Sequence, residues 1–346
     1  MKMEIIPKII ITDTHFGRKN NSINFLRSQM SFFDQLIQKI SKLPTGTRFD
    51  IVHCGDIFES RSTVGVYILD SVMDMFRNMI KTAMKINKNN RLIFVAGNHD
   101  FYSPVGDTVN TLDALLSQLA FEGNVITVSK KEIRDPEDPS ILYVPWFRWN
   151  NNIDNIDFSE VKVVFTHTDL HEYKNDPRIP QDTFVLSGHI HGMRRYRDNK
   201  FINIPTPYGL DFSDVNDDNK GAFILDSKMQ LKSFLVNTTS IKFRRIDEGD
   251  IYNIKDLDES IERGDNYNIY LSAESMSNSK IMAKINELRE NFKYINIIPV
   301  SNFVNECDGS GEIGALDIED IIRNAIPEHL KSKFDEVIEL SSKTSE

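Results

Sequence analysis

The feature that most constrains this chain is a pattern repeated five times, in which a short run of β-capable apolar residues stops at a residue able to bind a metal. Arg91-Leu92-Ile93-Phe94-Val95-Ala96 runs into Gly97-Asn98-His99-Asp100, and Lys8-Ile9-Ile10-Ile11 leads to Asp13-Thr14-His15. Ile51-Val52-His53-Cys54 leads to Gly55-Asp56, Val163-Val164-Phe165 precedes His167, and Thr183-Phe184-Val185-Leu186 precedes Gly188-His189-Ile190-His191. Buried strands of a parallel sheet read as unbroken apolar runs and deliver polar groups where they stop. A strand followed by a polar turn is the ordinary reading of any one such stretch. Five together define a site, with seven of the eight histidines in or beside them and only His329 far away.

The spacing between these runs sets the fold class. Phe25, Leu26, Met30, Phe33, Leu36, Ile37 and Ile40 recur at helical spacing, and Pro44-Thr45-Gly46 closes that helix before a strand near Asp50. A second helix is predicted from about Val64 to Ile86, with Ile68, Val72, Met75, Phe76, Met79 and Ile80 turned inward; a third strand covers Arg91 to Ala96, and a shorter helix Thr111 to Leu119. This β-α-β-α-β rhythm implies a layered α/β sheet with right-handed crossovers. From Val125 the pattern changes to strands with short connections: Asn124–Val128, Ser140–Val144, Val161–Phe165, Thr183–Leu186, Phe201–Ile204, Ala222–Leu225 and Leu231–Val236. Pro145-Trp146-Phe147-Arg148-Trp149 is expected to be a loop that packs its aromatics on the core. The expected architecture is a four-layer α/β/β/α sandwich, two mixed sheets with helices outside.

A different pattern follows Thr238-Thr239-Ser240. Tyr267–Leu271 and Tyr294–Ile298 read as strands around a charged helix from Lys280 to Phe292, a segment with neither histidine nor cysteine and so a small α/β cap rather than chemistry. Asp308-Gly309-Ser310-Gly311-Glu312 reads as a linker, and Asp317–Ala325 and Pro327–Leu340 as two amphipathic tail helices. Such a tail docks either on its own chain or on a partner.

Composition narrows the function classes. A net charge of −10 argues against a free-standing cationic nucleic-acid binder, although bound metals and a partner can supply the charge that meets phosphate. Only Cys54 and Cys307 are present, too few for a disulfide framework or a thiolate zinc site. The N-terminus lacks a signal-peptide core and no run approaches a membrane span, so the expected setting is cytoplasmic, with no membrane partner. Mixed carboxylate, imidazole and amide ligands without thiolate suit manganese, iron or zinc. Two metals about 3.5–4 Å apart are well served by a bridging carboxylate and stabilise both oxygens of an in-line displacement.

The ordered set Asp13-x-His15, Gly55-Asp56, Gly97-Asn98-His99-Asp100, His167, Gly188-His189-x-His191 resembles the binuclear metallophosphoesterase superfamily. Asp13-Thr14-His15-Phe16-Gly17 and Gly55-Asp56-Ile57-Phe58 are similar to the D-x-H-L-G and G-D-L-F motifs of the SbcD-type double-strand-break-repair nucleases, with Phe16 in place of the usual Leu. Ile204–Leu210 resembles the loop, and Lys220-Gly221-Ala222-Phe223 the strand, that follow in those nucleases, although Pro205 stands where their loop has Gly. Asn237-Thr238-Thr239 and Arg244-Arg245-Ile246 are similar to the phage recombination endonuclease subunits that partner an SMC-like ATPase.

The resemblance implies residue roles. Asp13, His15, Asp56 and His191 would hold one divalent ion, and Asp56, Asn98, His167 and His189 a second, both expected to be Mn2+. His99 would meet the scissile phosphate and aid the leaving oxygen, with Asp100 orienting it. His53 and His171 match no ligand: His53 is expected to be a packed strand histidine and His171 a loop residue. Arg18, Lys19, Arg61, Arg194 and Arg195 are the candidate DNA contacts. The domains would be a nuclease domain (1–238), a capping domain (239–304), and a linker with a helical tail for the ATPase partner (305–346). The implied protein is a manganese-dependent nuclease acting on double-stranded ends and single strands. It would be a homodimer within a heterotetramer with an ATPase of the SbcC type, in a cell's or a virus-infected host's cytoplasm. A stand-alone phosphatase or small phosphodiesterase is the alternative, and a non-enzymatic scaffold is hard to square with every ligand position being filled. Protein phosphatases carry G-D-x-V-D-R-G and G-N-H-E, whereas this chain has Gly55-Asp56-Ile57-Phe58-Glu59-Ser60-Arg61 and Asp100.

Overall fold

The computed structural model describes residues 5–300, apart from 104–105, 122, 216–218, 255–256 and 293. The linker and tail expected from 305 onward lie outside the described residues. Strand β1 (Lys8–Ile11) leads through helix α1 (Ile23–Ser41) to β2 (Asp50–His53), and α2 (Val66–Ile86) leads to β3 (Arg91–Val95). A hairpin of β4 (Phe101–Ser103) and β5 (Gly106–Asn110) follows, then α3 (Thr111–Ala114) and β6 (Val125–Val128). The second half runs β7 (Ile133–Arg134), β8 (Ile141–Tyr143), α4 (Trp146–Asn152), β9 (Val163–His167), α5 (Leu170–Tyr173) and β10 (Phe184–Gly188). It ends with β11 (Arg194–Tyr196), β12 (Phe201–Asn203), β13 (Gly221–Leu225) and β14 (Leu231–Val236).

The strands form two six-stranded sheets, β14-β13-β1-β2-β3-β6 and β11-β12-β10-β9-β8-β7. β1, β2, β3 and β6 are mutually parallel, as are β12, β10, β9 and β8, so each half ends its parallel strands at one edge. Alternation along the strands makes the layers. Ile10, Val52 and Ile93 turn toward Phe165, Leu186 and Tyr143, forming the core between the sheets. Ile9, Ile11, Ile51 and Phe94 turn the other way, against Phe32, Phe33, Leu36, Phe76 and Met79 of α1 and α2. On the far side Leu142, Val164 and Val185 meet Trp149, Ile153 and Phe158. Three apolar layers separate four layers of structure, the α/β/β/α sandwich.

A third, all-parallel sheet comprises β15 (Phe243–Asp247), β16 (Asn266–Ser272) and β17 (Ile295–Val300), with α6 (Leu257–Arg263), α7 (Ala273–Ser277) and α8 (Ser279–Asn291). Its own core joins Tyr267, Ile269 and Leu271 to Ile285, Leu288 and Phe292. It is tied to α1: Ser240 Oγ donates to the Ser28 carbonyl at 2.8 Å, and the Ile241 amide donates to Ser28 Oγ at 2.7 Å.

Several expectations change. Residues 145–149 are not a loop: Pro145, whose missing N–H costs nothing there, opens α4, and Trp149 is buried against Phe158 and Tyr173. The helix expected over Thr111–Leu119 breaks into α3 and a 3₁₀ turn, Leu116–Phe121. Arg194–Tyr196 is an edge strand that the sequence pattern did not show, and β15 also escapes that pattern because Arg244, Arg245 and Asp247 fill three of its five positions, as edge strands tolerate.

The strand beginnings hold a second polar feature. Lys8, Asp50 and Arg91 open β1, β2 and β3 side by side and are buried with Asp135. Lys8 Nζ donates to Asp50 at 2.5 Å and to Asp135 at 3.2 Å, Arg91 donates to both carboxylates, and Tyr143 Oη donates to Asp135 at 2.8 Å. The cluster joins the two sheets at the pole opposite the polar strand ends. Burial favours the neutral form of Asp50 and Asp135, but Arg91 and Lys8 outweigh it and hold both carboxyls below their usual range. Their contribution is therefore complete above the unfolded carboxylate pKa and is lost as pH falls through the depressed folded values. Asp50→Ala leaves the Lys8 and Arg91 charges undercompensated and is expected to cost about 3–5 kcal/mol in denaturant unfolding. The deficit should shrink as the pH is lowered into the acid range.

Candidate metal centre

The five polar strand ends converge at one edge of the paired sheets. β1 and β2 end in adjacent loops stitched together by backbone bonds, Asp13 N–H to Gly55 O at 2.9 Å and His15 N–H to Asp56 O at 3.0 Å. Asp13, His15, Asp56 and His189 all have left-handed backbones, with φ of 49°, 45°, 55° and 79°. Such residues cost of order 1–3 kcal/mol each and persist where their surroundings overdetermine them. Three glycines make the closeness possible. A Cβ on Gly97 would lie 2.2 Å from Asp56 Oδ1, one on Gly188 2.1 Å from Thr12 Oγ1, and one on Gly55 2.4 Å from His167 Nδ1.

Three overlapping groups of donors share this space. Asp13, His15 and His191 form one, Asp56, His167 and His189 a second, and His15, Asp56 and His99 a third between them; within each, one ligand atom per residue lies within 4.8 Å of the rest. Asp56 links them: its Oδ2 is 3.2 Å from His167 Nε2 and 3.7 Å from His15 Nε2. Asn98 Oδ1 joins the second group, 3.0 Å from His167 Nε2 and 2.9 Å from His189 Nδ1. All seven residues proposed as ligands are therefore brought together. Their chemistry fits a pair of divalent cations, and one atom marks the fit. His15 Nε2 is buried without a hydrogen-bond partner, facing Asp13 Oδ1 at 3.9 Å and Asp56 Oδ2 at 3.7 Å, a spacing that a cation between them would satisfy.

Several of the ligands are held from behind. Thr12 Oγ1 donates to Asp13 Oδ2 at 2.6 Å, and the His189 amide donates to Asp13. His167 Nδ1 lies 2.7 Å from the Cys54 carbonyl. Tyr208 Oη and Gln29 Nε2 each donate to the Thr14 carbonyl at 2.8 Å, fixing the first loop. Lys220 Nζ donates to the His191 carbonyl at 2.7 Å and to Asp214 at 2.6 Å.

The electrostatics follow from concentrating these groups. Burial works against the charged form of Asp56, yet His167, His15 and His99 hold its carboxyl far below the usual range. Burial pulls His167 down, but Asp56 and Asp13 beside it hold it up at about 9. His189 is lowered by burial and by His167. Asp100 is raised to about 6 by burial and by the Asp56 charge.

The environment of His99 differs from expectation. The Asp100 carboxylate is occupied by the amides of Asp56 (2.9 Å), Ile57 (3.1 Å) and Gly97 (2.8 Å) and by the Thr111 hydroxyl (3.1 Å), so it ties the second and third loops together. The His99 ring rests instead on Glu59, whose carbonyl oxygen is 2.6 Å from Nδ1, while the His99 amide donates to Asp56 Oδ1 at 2.8 Å. Sequence reasoning passed over Glu59; its signal was an acidic residue three positions after Asp56.

The candidate DNA contacts divide. Arg18 is engaged by Glu59 at 2.9 Å and Asp211 at 2.5 Å, and Lys19 Nζ lies over the Phe243 ring at 5.6 Å. Arg61 donates to the Phe101 carbonyl at 3.4 Å beside the Gly-Asn-His-Asp loop. Arg194 and Arg195 are exposed on β11, just past His191. His53 is buried in β2 against Phe76 and Phe94, and His171 is exposed on α5.

Carboxylates and imidazoles in overlapping groups linked by one aspartate, at the ends of parallel strands, define the class of metal-dependent phosphoester hydrolases. The chain matches the calcineurin-like phosphoesterases over residues 6–193, more than half of its length, and belongs to that family, whose members bind two divalent metals. No helix among the described residues is long and apolar enough to cross a membrane. A comparison with curated proteins finds no match to the chain.

Two outcomes are expected. Metal must displace the proton that His167 holds up to about 9, so calorimetric affinity for Mn2+ should strengthen as pH rises from 6.5 toward 9 with proton release. Gly97→Ala should abolish metal-induced thermal stabilisation, because its Cβ would lie within 2.2 Å of Asp56 Oδ1.

Proposed function

We propose that this phosphoesterase is a manganese-dependent DNA nuclease that hydrolyses phosphodiester bonds at duplex ends and in single strands, as the nuclease subunit of a complex with an SMC-like ATPase in recombination and repair. The observation that carries the reading is the third sheet. An α/β unit over residues 243–300 is anchored on α1, the helix that follows the Asp13-x-His15 loop, through Ser28, Ser240 and Ile241. A hydrolase of small esters has no use for such a platform, whereas a polymer substrate extends well beyond the bond being cut. The D-x-H-F-G and G-D-I-F motifs support the same choice; their Phe16 and Phe58 pack side by side beneath the site, ring centroids 6.5 Å apart.

The residues divide the work. Two divalent ions held by Asp13, His15, Asp56 and His191 and by Asp56, Asn98, His167 and His189 would neutralise phosphate charge and favour ionised water. With Nδ1 against the Glu59 carbonyl, His99 keeps Nε2 for the substrate. There the imidazolium form donates its Nε2–H to the phosphate and passes that proton to the leaving oxygen as water adds to phosphorus and the P–O bond breaks. Arg194 and Arg195 offer exposed charge for the strand leaving the site, and Arg61 for its other side. Val66 and Tyr67, 83% and 58% exposed at the start of α2, supply an apolar face through which two copies pair. The ATPase would be bound through residues 305–346.

The test is degradation of an end-labelled duplex with Mn2+, beside His99→Ala and a nitrophenyl phosphodiester. The reading expects metal-dependent DNA cutting that falls about 100- to 10,000-fold in the variant, in line with loss of a general acid. Turnover of the small ester with DNA untouched, even with the ATPase partner added, would replace it with a stand-alone phosphodiesterase.

A further inference from the structure

Glu59 touches both functional halves of the site with different parts of itself. Its carboxylate oxygen Oε2 stands 2.8 Å from Nδ1 of His15, in an approach bent away from the ring N–H direction. Its backbone carbonyl oxygen stands 2.6 Å from Nδ1 of His99. The two rings lie edge to face with centroids 4.9 Å apart. Arg18 grips both Glu59 carboxylate oxygens, at 3.0 and 2.9 Å, and is itself held by Asp211, so the carboxylate is not free to swing away. The main chain is fixed as well, since the Glu59 amide donates to the Phe16 carbonyl at 2.9 Å.

We propose that Glu59 is a positioning residue that sets the tautomer of two histidines at once, His15 through its carboxylate and His99 through its carbonyl. A neutral imidazole carries its proton on one nitrogen only, and which one is dictated by the partner of the other. An acceptor oxygen 2.8 Å from His15 Nδ1 is repelled by a bare lone pair and attracted by a proton, so it places the proton on Nδ1. That leaves the buried Nε2 with its lone pair aimed between Asp13 and Asp56. The carbonyl oxygen likewise keeps a proton on Nδ1 of His99, so Nε2 is the nitrogen that takes up the second proton and presents it to the phosphate. Arg18, which sequence position suggested as a phosphate contact, acts here as the clamp on Glu59. The inference rests on His15 serving as a metal ligand and is independent of whether the substrate is DNA.

The division between side chain and main chain gives the test an internal control. In full-length, metal-free protein at a pH where both rings are neutral, 15N spectra of the histidines should show Nδ1 protonated in His15 and in His99. Glu59→Ala should shift His15 toward the other tautomer and leave His99 unchanged, because the carbonyl remains. Mn2+ affinity by calorimetry should fall about 10- to 100-fold, as for other groups that orient a ligand from behind. Glu59→Gln keeps an acceptor oxygen and should restore the His15 tautomer with a smaller loss of affinity. An unchanged His15 spectrum in Glu59→Ala overturns the proposal, as does equal affinity in all three proteins. If Glu59→Ala does not fold, wild-type affinity in Glu59→Gln overturns it. Failure of the wild type to bind Mn2+ would instead sink the assignment of His15 as a ligand.

Discussion

Asp56 is a buried carboxylate at the place where the edges of two sheets meet, and much of the surrounding structure is arranged to keep it charged there. Burial alone would drive it neutral; His167 from the second sheet and His15 from the neighbouring loop reverse that. Burial and the Asp56 charge raise Asp100, whose carboxylate accepts three backbone amides around Asp56 and so closes the loops on it. A buried anion ringed by imidazoles, with His15 Nε2 facing it and making no hydrogen bond, is an arrangement completed by cations.

The opposite pole handles buried charge differently. Lys8, Asp50, Arg91 and Asp135 bring equal numbers of cations and anions, each hydrogen-bonded to an opposite charge, and bind the two sheets at the strand beginnings. One pole is neutralised within the protein and serves stability; the other is left open toward ligands. Parallel strands make this separation natural, because all their beginnings lie at one edge and all their ends at the other. The backbone at the open pole is also the strained one. Four of the seven ligand residues have positive φ, and the glycines beside them admit contacts that any side chain would block. Glu59, clamped by Arg18, then orients histidines on both sides of the cleft.

The apolar runs and helical stripes were legible in the sequence because burial imposes a period, two along a strand and 3.6 around a helix. Strands such as β1, β3 and β14, and the long helices α1 and α2, fall within a residue or two of their expected limits. The short edge strands β7, β11 and β15 were not legible, since one side of each faces solvent and their charged residues give no apolar alternation. The short helix at Trp146 was hidden for a related reason: seven residues are too few to display a period. Convergence of Asp13, His15, Asp56, Asn98, His167, His189 and His191 was inferable because each follows a run that ends at a sheet edge.

What the sequence by itself determined is the set of strands and the residue waiting at the end of each, because hydrophobic burial fixes where a strand lies and a polar residue marks where it stops. What only the tertiary structure decided is how the ends share the cleft. Asp100 bonds to loop amides rather than orienting His99, Arg18 is spent on Glu59 and Asp211, and Lys8 and Arg91 are buried ions rather than surface charges. Those outcomes depend on distances of 2.5–3.2 Å between residues tens to hundreds of positions apart. No local pattern encodes such a distance; it exists only once both sheets have packed.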